Sequence, residues 1–97
     1  MKSKNEILKV LKKELPNLKE KFKVKSIGIF GSYVRGEQTK TSDIDMLVQF
    51  EAPVSFFKFI ELEDYLTEKL GAKVDLVTPD ALKPLTKPHI IEEAVYA

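Results

Sequence analysis

Segments with the periodicity of helices alternate with short segments rich in β-branched residues along this chain. The strand-like segments cover residues 24–30, 44–51 and 74–77, and the clearest helical segment, 56–70, lies between the second and third of them. Such alternation is typical of an α/β layer and disfavours a helical bundle or a β-sandwich. The sequence therefore predicts an α/β (α+β-like) fold, with a small mixed β-sheet of about three strands and helices packed mainly on one face.

The ends of the helices have recognisable signals. The motif Ser3-Lys4-Asn5-Glu6 is a capping box, and it predicts a first amphipathic helix that ends at Pro16. For the helix over 56–70, Ser55 is the predicted N-cap and Gly71 the predicted stop. Shorter helices are predicted after an N-cap at Ser32, at Thr78-Pro79-Asp80, and in the tail around Ile90, Ile91, Ala94 and Val95.

Size and composition narrow the classes of protein. A chain of 97 residues with 43% apolar and 32% charged residues is expected to form a single domain, 1–97, around one core. The formal net charge of +1 disfavours long nucleic acid as a partner. The absence of cysteine excludes disulfides, thiolate zinc sites and thiol nucleophiles. Without a long apolar run we expect no membrane association and a cytoplasmic protein.

Three aspartates lie at or in the predicted strands. Asp43 and Asp45 are separated by one residue at the head of the second strand, so both side chains project to the same face. Asp75 interrupts the otherwise apolar third strand. Mutually repelling carboxylates are stabilised by a divalent cation, and Mg²⁺ prefers carboxylate and phosphate oxygens. These aspartates are therefore the candidate catalytic and metal-ligating residues, and they could hold two ions about 3.5–4 Å apart.

A glycine–serine turn follows the first strand. Gly31-Ser32 stands at a predicted helix N-terminus, where free N–H groups favour an anion such as phosphate. Of the 16 basic residues only Arg35 is an arginine, and Gly28, Gly31 and Gly36 surround it. Because a guanidinium can grip phosphate with two hydrogen bonds, the segment predicts a phosphate-binding turn. It matches neither a P-loop nor the dinucleotide-binding fingerprint.

Taken together, these motifs resemble a known family. Gly31-Ser32-Tyr33-Val34-Arg35-Gly36, Ser42-Asp43-Ile44-Asp45-Met46-Leu47-Val48 and Val74-Asp75-Leu76-Val77 are similar to the motifs of the minimal nucleotidyltransferases (MNT) of the DNA polymerase β superfamily. Members of that family are usually encoded beside a HEPN-domain partner. The resemblance covers nearly the whole chain and includes 62–70 and 92–97.

The resemblance implies an enzyme that transfers a nucleoside monophosphate from NTP to a hydroxyl and releases pyrophosphate. Gly31 and Ser32 would bind the triphosphate, and Arg35 would contact phosphate or a partner. Asp43 and Asp45 would ligate both Mg²⁺ ions, and Asp75 would ligate the catalytic ion and help to activate the acceptor hydroxyl. The expected reaction is transfer of AMP from ATP to a HEPN ribonuclease toxin, with this chain as its antitoxin.

Two other functions stay open at this point. A binding module with little or no activity could neutralise a partner by occlusion, and a small-molecule nucleotidyltransferase would need another domain or a homo-oligomer to complete its acceptor pocket. Each motif also has an ordinary structural explanation: a helix cap, a solvated turn, a strand acid paired with lysine, or a surface salt bridge of Arg35. His89 is expected at the surface. Phe56, Phe57 and Phe59 cannot all point at one core from one helix, so they are either partly buried by a neighbouring loop or form an exposed apolar patch for a partner or a second copy.

A shared metal site also makes demands on topology. Ser32 follows the end of the first strand and Asp43 precedes the start of the second, so those two strands must be antiparallel if they are neighbours. Asp75 must lie beside the start of the second strand, which makes the third strand parallel to the second and joined to it through the 56–70 helix. An Asp75 remote from Asp43 and Asp45 would contradict the enzymatic interpretation.

Overall fold

The sheet has four strands in the order β3-β2-β1-β4. The computed structural model describes residues 2–97. Its elements are α1 (Lys4–Phe22), β1 (Val24–Phe30), α2 (Ser32–Arg35), β2 (Ile44–Phe50), α3 (Phe56–Leu70), β3 (Val74–Val77), a 3₁₀ turn (Pro79–Ala81), α4 (Lys87–Glu93) and β4 (Val95–Tyr96).

The strand directions are the ones that the motifs demand. β1 pairs with β2 in antiparallel fashion, and β2 pairs with β3 in parallel. The parallel pair is joined through α3, which begins after the N-cap Ser55 and ends at Gly71. The predicted mixed α/β sheet is confirmed, together with the bounds of β1, α3 and β3. β2 ends at Phe50, one residue earlier than predicted, and Thr78-Pro79-Asp80 starts only a 3₁₀ turn.

The core lies between the sheet and the helices α1 and α3. The rings of Phe22 and Tyr65 stack at 5.4 Å between their centroids, where α1 meets α3. The fully buried side chains come from the apolar faces of both helices and from alternate positions of the strands. They include Ile7, Leu11, Leu18, Phe22, Ile27, Ile29, Ile44, Met46, Val48, Leu62, Leu66 and Leu70.

The prediction that the first helix ends at Pro16 was wrong. α1 continues through Pro16 to Phe22 and ends where Lys23 adopts a left-handed conformation, with φ of 60°. A proline inside a helix removes one hydrogen bond and costs about 3 kcal/mol. Leu18 and Phe22, beyond the proline, are both buried in the core. Their packing compensates for the lost hydrogen bond, as tertiary burial commonly overrides local propensity.

The tail contains a strand that the sequence pattern did not predict. α4 ends at Glu93, and β4 then pairs antiparallel with β1, with Val95 opposite Ile29 and Tyr96 opposite Gly28. A Cβ at Gly28 would lie 2.8 Å from the carbonyl oxygen of Val95, so the missing side chain lets β4 approach. The expected closing helix is therefore only part of the tail, and the sheet has four strands instead of about three.

Two phenylalanines at the start of α3 are exposed. Phe56 and Phe57 keep 73% and 83% of their surface accessible, which corresponds to the exposed-patch alternative, whereas Phe59 is partly buried and packs against the core. No helix within residues 2–97 is both long enough and apolar enough to cross a membrane.

Candidate active site

The end of β1 and the starts of β2 and β3 meet at one end of the sheet. Asp45 lies opposite Phe30 of β1 on one side and opposite Asp75 of β3 on the other. Gly31 follows Phe30, and Asp43 precedes the first residue of β2. The structure therefore brings the three aspartates and the Gly31-Ser32 turn together, and it places Asp75 beside the start of β2 as the shared-site hypothesis requires.

Gly31 fits against the carboxylate of Asp45. Its φ of 80° lies in the region that favours glycine, and an added Cβ would overlap with Asp45 Oδ2. The Gly31 carbonyl accepts hydrogen bonds from the N–H groups of Val34 (3.1 Å) and Arg35 (3.2 Å), so Gly31 is the N-cap of α2. The predicted N-cap, Ser32, is instead the first helical residue. A residue with a side chain could not hold the turn this close to the acids.

The electrostatics of Asp45 reflect its neighbours. The side chain is half-buried, and this burial is the main reason why the pKa of Asp45 is raised above its usual value. The charges of Asp75 and Asp43 raise the pKa further, while Arg35 opposes them. Asp75 itself is exposed. The folded chain thus holds a carboxylate whose ionisation is opposed by burial and by like charge.

These acids fit a divalent cation in the chemistry of their donor atoms. No group of three acidic, histidine or cysteine side chains within residues 2–97 already converges as a complete metal site. Mg²⁺, however, is usually held by one or two carboxylates together with substrate phosphates. The nearest cationic partner is weak, because Lys73 Nζ lies 4.0 Å from Asp43 Oδ2. The carboxylates could therefore serve as ligands whose set is completed by a bound nucleotide.

A tight turn leads the chain into Asp43. The N–H of Thr39 donates to Ser42 Oγ (2.9 Å), and the N–H of Ser42 donates to the carbonyl of Thr39 (3.1 Å). Ser42 thereby stabilises the turn with both its side chain and its backbone, as serine often does in loops. This turn fixes the direction from which Asp43 enters the site.

Arg35 is paired with two glutamates. Its Nη1 lies 2.8 Å from Glu93 Oε1, and its Nε lies 2.5 Å from Glu37 Oε1. These two hydrogen bonds raise the pKa of Arg35, with the larger contribution from Glu37. The second oxygen of Glu93, Oε2, accepts the N–H of Gly31 at 3.1 Å. Arg35 thus forms the surface salt bridge that was one of the two alternatives. A contact of Arg35 with a phosphate or a partner stays a prediction.

Glu93 is a neighbour of the site that sequence reasoning missed. Its side chain is 22% exposed, whereas the adjacent Glu92 is exposed. Nothing in the pattern Glu92-Glu93 distinguishes the two residues, because what sets Glu93 apart is its contact with Gly31 and Arg35, which are distant in the chain. The signal that could have identified this region is Gly28, since a glycine inside a strand often marks the close approach of another backbone.

Other features lie away from the acids. A cavity of 470 Å³ opens where β2 and β3 end, between the segments 48–53 and 78–80, at the opposite end of these strands from Asp45 and Asp75. None of the predicted site residues lines it. His89 is exposed on α4, as expected for a surface residue.

The chain is similar to known proteins over nearly its whole length. Residues 8–97 match the family model of the nucleotidyltransferase domain. The chain is 48% identical over 91 residues to the protein adenylyltransferase MntA of Thermococcus cleftensis, covering 94% of this chain and 92% of that protein.

Two solved structures share the fold. A candidate minimal nucleotidyltransferase is similar with a TM-score of 0.78 and 30% identity, over 93% of this chain and 92% of that one. A Shewanella oneidensis complex of a tri-AMPylated HEPN toxin with its MNT antitoxin is similar with a TM-score of 0.59 and 25% identity, over 96% of this chain and 66% of that one.

Proposed function

This chain belongs to the nucleotidyltransferase domain family and is a nucleotidyltransferase, and we propose that it transfers AMP from ATP to a hydroxyl group of a HEPN-domain protein, for which it serves as the antitoxin. We propose further that residues 1–97 act as one domain in this reaction.

The observation that carries the proposal is the contact between the glycine turn and the paired acids. Asp45 faces Asp75 across two parallel strands, and Gly31 lies directly against the Asp45 carboxylate. Like charges placed opposite one another in a sheet are destabilising, and no ion pair relieves Asp45 or Asp75 within residues 2–97. In a magnesium–nucleotide complex, the metal would supply the positive charge that Asp45 and Asp75 lack, and the nucleotide would supply phosphates for the turn.

Each residue then has a role in binding. Two Mg²⁺ ions would be held by the three aspartates, Asp43, Asp45 and Asp75. The triphosphate would lie against Gly31 and Ser32. When bound, the metal ions would neutralise the charge that develops on the phosphate oxygens. Because the Gly31 N–H is already donated to Glu93 and its Cα faces the Asp45 carboxylate, the Ser32 hydroxyl is the group of this turn that would donate a hydrogen bond to a phosphate.

The transfer step is a substitution at phosphorus. The acceptor oxygen bonds to the α-phosphorus of ATP, the bond from that phosphorus to the bridging oxygen breaks, and pyrophosphate leaves. The acceptor loses its proton in this step. Asp75 is the carboxylate that we assign to receive it, because Asp75 is exposed and can be reached by a side chain from another protein, whereas Asp45 is half-buried.

The surface of the chain and its relatives support a protein as the acceptor. Phe56 and Phe57 expose two rings, set edge to face with centroids 6.3 Å apart, on which an apolar partner surface could pack. The AMPylated HEPN toxin bound to an MNT antitoxin is a property of the Shewanella complex, and it motivates the same assignment here.

The test is an adenylylation assay with a cognate HEPN protein. Incubation with Mg²⁺ and α-labelled ATP should transfer label to the HEPN protein, on a tyrosine hydroxyl. Asp45→Asn should abolish the label, whereas Asp64→Asn, which removes an exposed carboxylate of α3, should leave it unchanged. Equal labelling by wild type and Asp45→Asn would refute the proposed role. Protection from the toxin without any labelling would instead establish occlusion as the mechanism.

A further inference from the structure

We propose that Glu93 is a positioning residue, which acts through the Gly31 turn by holding it at the distance from Asp45 that nucleotide transfer requires. This inference rests on the proposed function and extends it to a residue outside the three sequence motifs.

The first argument is the double contact of one carboxylate. Oε2 of Glu93 accepts the Gly31 N–H (3.1 Å), and Oε1 accepts Arg35 Nη1 (2.8 Å). Gly31 precedes α2 and Arg35 is its last residue, so one side chain ties both ends of this four-residue helix. A helix this short has little stability of its own and depends on such external contacts.

The second argument is the direction of the support. In the order β3-β2-β1-β4, the aspartates belong to the β2–β3 side of β1, and Glu93 approaches from the β4 side. Gly31 is therefore held between them: its N–H is bonded to Glu93, and its Cα faces the Asp45 carboxylate. Movement of Glu93 would change the distance between the turn and the acids.

The third argument is that Glu93 is itself anchored. The residues after it pair with β1, Val95 with Ile29 and Tyr96 with Gly28, and the N–H of Ala97 donates to the carbonyl of Ile27 at 3.0 Å. The carboxylate thus extends from a segment fixed in the sheet. A carboxylate anchored in this way can hold the turn in place. The anchoring argues against the alternative that Glu93 occupies the position of a phosphate and is displaced when the nucleotide binds.

The experiment compares Glu93→Ala, Glu93→Gln and the neighbouring control Glu92→Ala. Glutamine keeps an oxygen for the Gly31 N–H and loses the charge that pairs with Arg35, so it should recover part of the effect. We expect kcat/KM for AMP transfer to fall roughly tenfold to a hundredfold in Glu93→Ala, as for other residues that orient a site indirectly. Glu93→Gln should fall less, and Glu92→Ala should match wild type.

A second readout needs no activity. The chain has four glycines, so their backbone amide signals are readily resolved by NMR in the nucleotide-free protein. The Gly31 amide should shift strongly in Glu93→Ala, less in Glu93→Gln and not in Glu92→Ala. This spectrum also shows whether each variant is folded. An unmoved Gly31 signal in folded Glu93→Ala would overturn the proposal.

Titration with Mg²⁺ and a non-hydrolysable ATP analogue separates this inference from the proposed function. Weaker binding by Glu93→Ala supports the positioning role, whereas equal or tighter binding overturns it, and tighter binding would identify Glu93 as a competitor of the phosphates. If wild type binds the nucleotide but labels no HEPN protein, the proposed function fails while the positioning role is still judged by affinity. If wild type transfers AMP and Glu93→Ala does so equally well, only the positioning role fails.

Discussion

Without metal and nucleotide, the Asp45→Asn variant should be more stable than wild type. With Mg²⁺ and nucleotide added, the variant should be less stable than wild type. Asparagine has the shape of aspartate but no charge. In wild type, burial and the charges of Asp75 and Asp43 oppose ionisation of Asp45 and raise its pKa. The variant removes these unfavourable effects without leaving a cavity.

The expected gain in the free energy of unfolding can be estimated from the pairing of β2 with β3. Like charges directly opposite in a sheet, as Asp45 and Asp75 are, cost about 0.2–1 kcal/mol. Partial burial and Asp43 add to this cost, so we expect a gain of about 1 kcal/mol, near the upper end of that range. For a domain of this length, about 1 kcal/mol raises Tm by about 4–8 °C.

The dependence on pH has a defined sign. Because the folded-state pKa of Asp45 is raised, ionisation costs the wild type stability as pH rises from the unfolded-state value, near 3.9, through the folded-state value. The advantage of the variant should therefore grow as pH rises through the folded-state value, and it should be lost well below the unfolded-state value of about 3.9, where wild-type Asp45 is protonated in both states.

Thermal unfolding in EDTA, and then in Mg²⁺ with an ATP analogue, measures both effects. Ligand at 100 times its Kd stabilises wild type by about 2.7 kcal/mol, and Asp45→Asn should lose most of this increment. Asp64→Asn, an exposed carboxylate on α3, controls for the change in net charge. An Asp45→Asn variant that is no more stable than wild type in EDTA, or equally stabilised by nucleotide, would refute the reasoning.

Two further predictions concern other contacts. Gly31→Ala should abolish nucleotide binding and lower Tm, because its Cβ would overlap with Asp45 Oδ2 at a φ of 80°; retained binding in a calorimetric titration would contradict the placement of the turn. Glu63→Ala should cost about 1–3 kcal/mol in chemical denaturation, since the Leu76 N–H, which now donates to Glu63 Oε2 at 2.9 Å, would lose its partner. Glu61→Ala, an exposed glutamate on the same helix, should cost less than Glu63→Ala, and an equal loss would show that the hydrogen bond to β3 contributes nothing.

Local patterns predicted most of the fold because local chemistry determines it. Ser55 and Gly71 bound α3 as expected, and the alternation in β1 gave its limits. The extension of α1 past Pro16 was missed because it depends on Leu18 and Phe22 packing against distant elements. β4 was missed for a related reason, since two residues show no periodicity and pair only because Gly28 leaves room for them.

The candidate site likewise contains residues that the sequence predicts and one residue, Glu93, that it does not. The aspartates and the glycine–serine turn are recognisable from residue type and spacing, and the strand directions brought them together as required. Their roles as ligands and phosphate contacts stay predictions. Glu93 could not have been chosen over Glu92, because its contact with Gly31 joins residues 62 positions apart.

The register between β2 and β3 makes loop length a determinant of chemistry. Ile44 lies opposite Val74 and Asp45 opposite Asp75, while the alternation along β3 buries Val74 and Leu76. Removing or inserting one residue in the connection at 71–73, of which Ala72 packs against the core, would reverse the faces of β3, turning Asp75 inward and Leu76 outward. The length of this connection is therefore a requirement of the candidate site, although none of its three residues is among the predicted ligands.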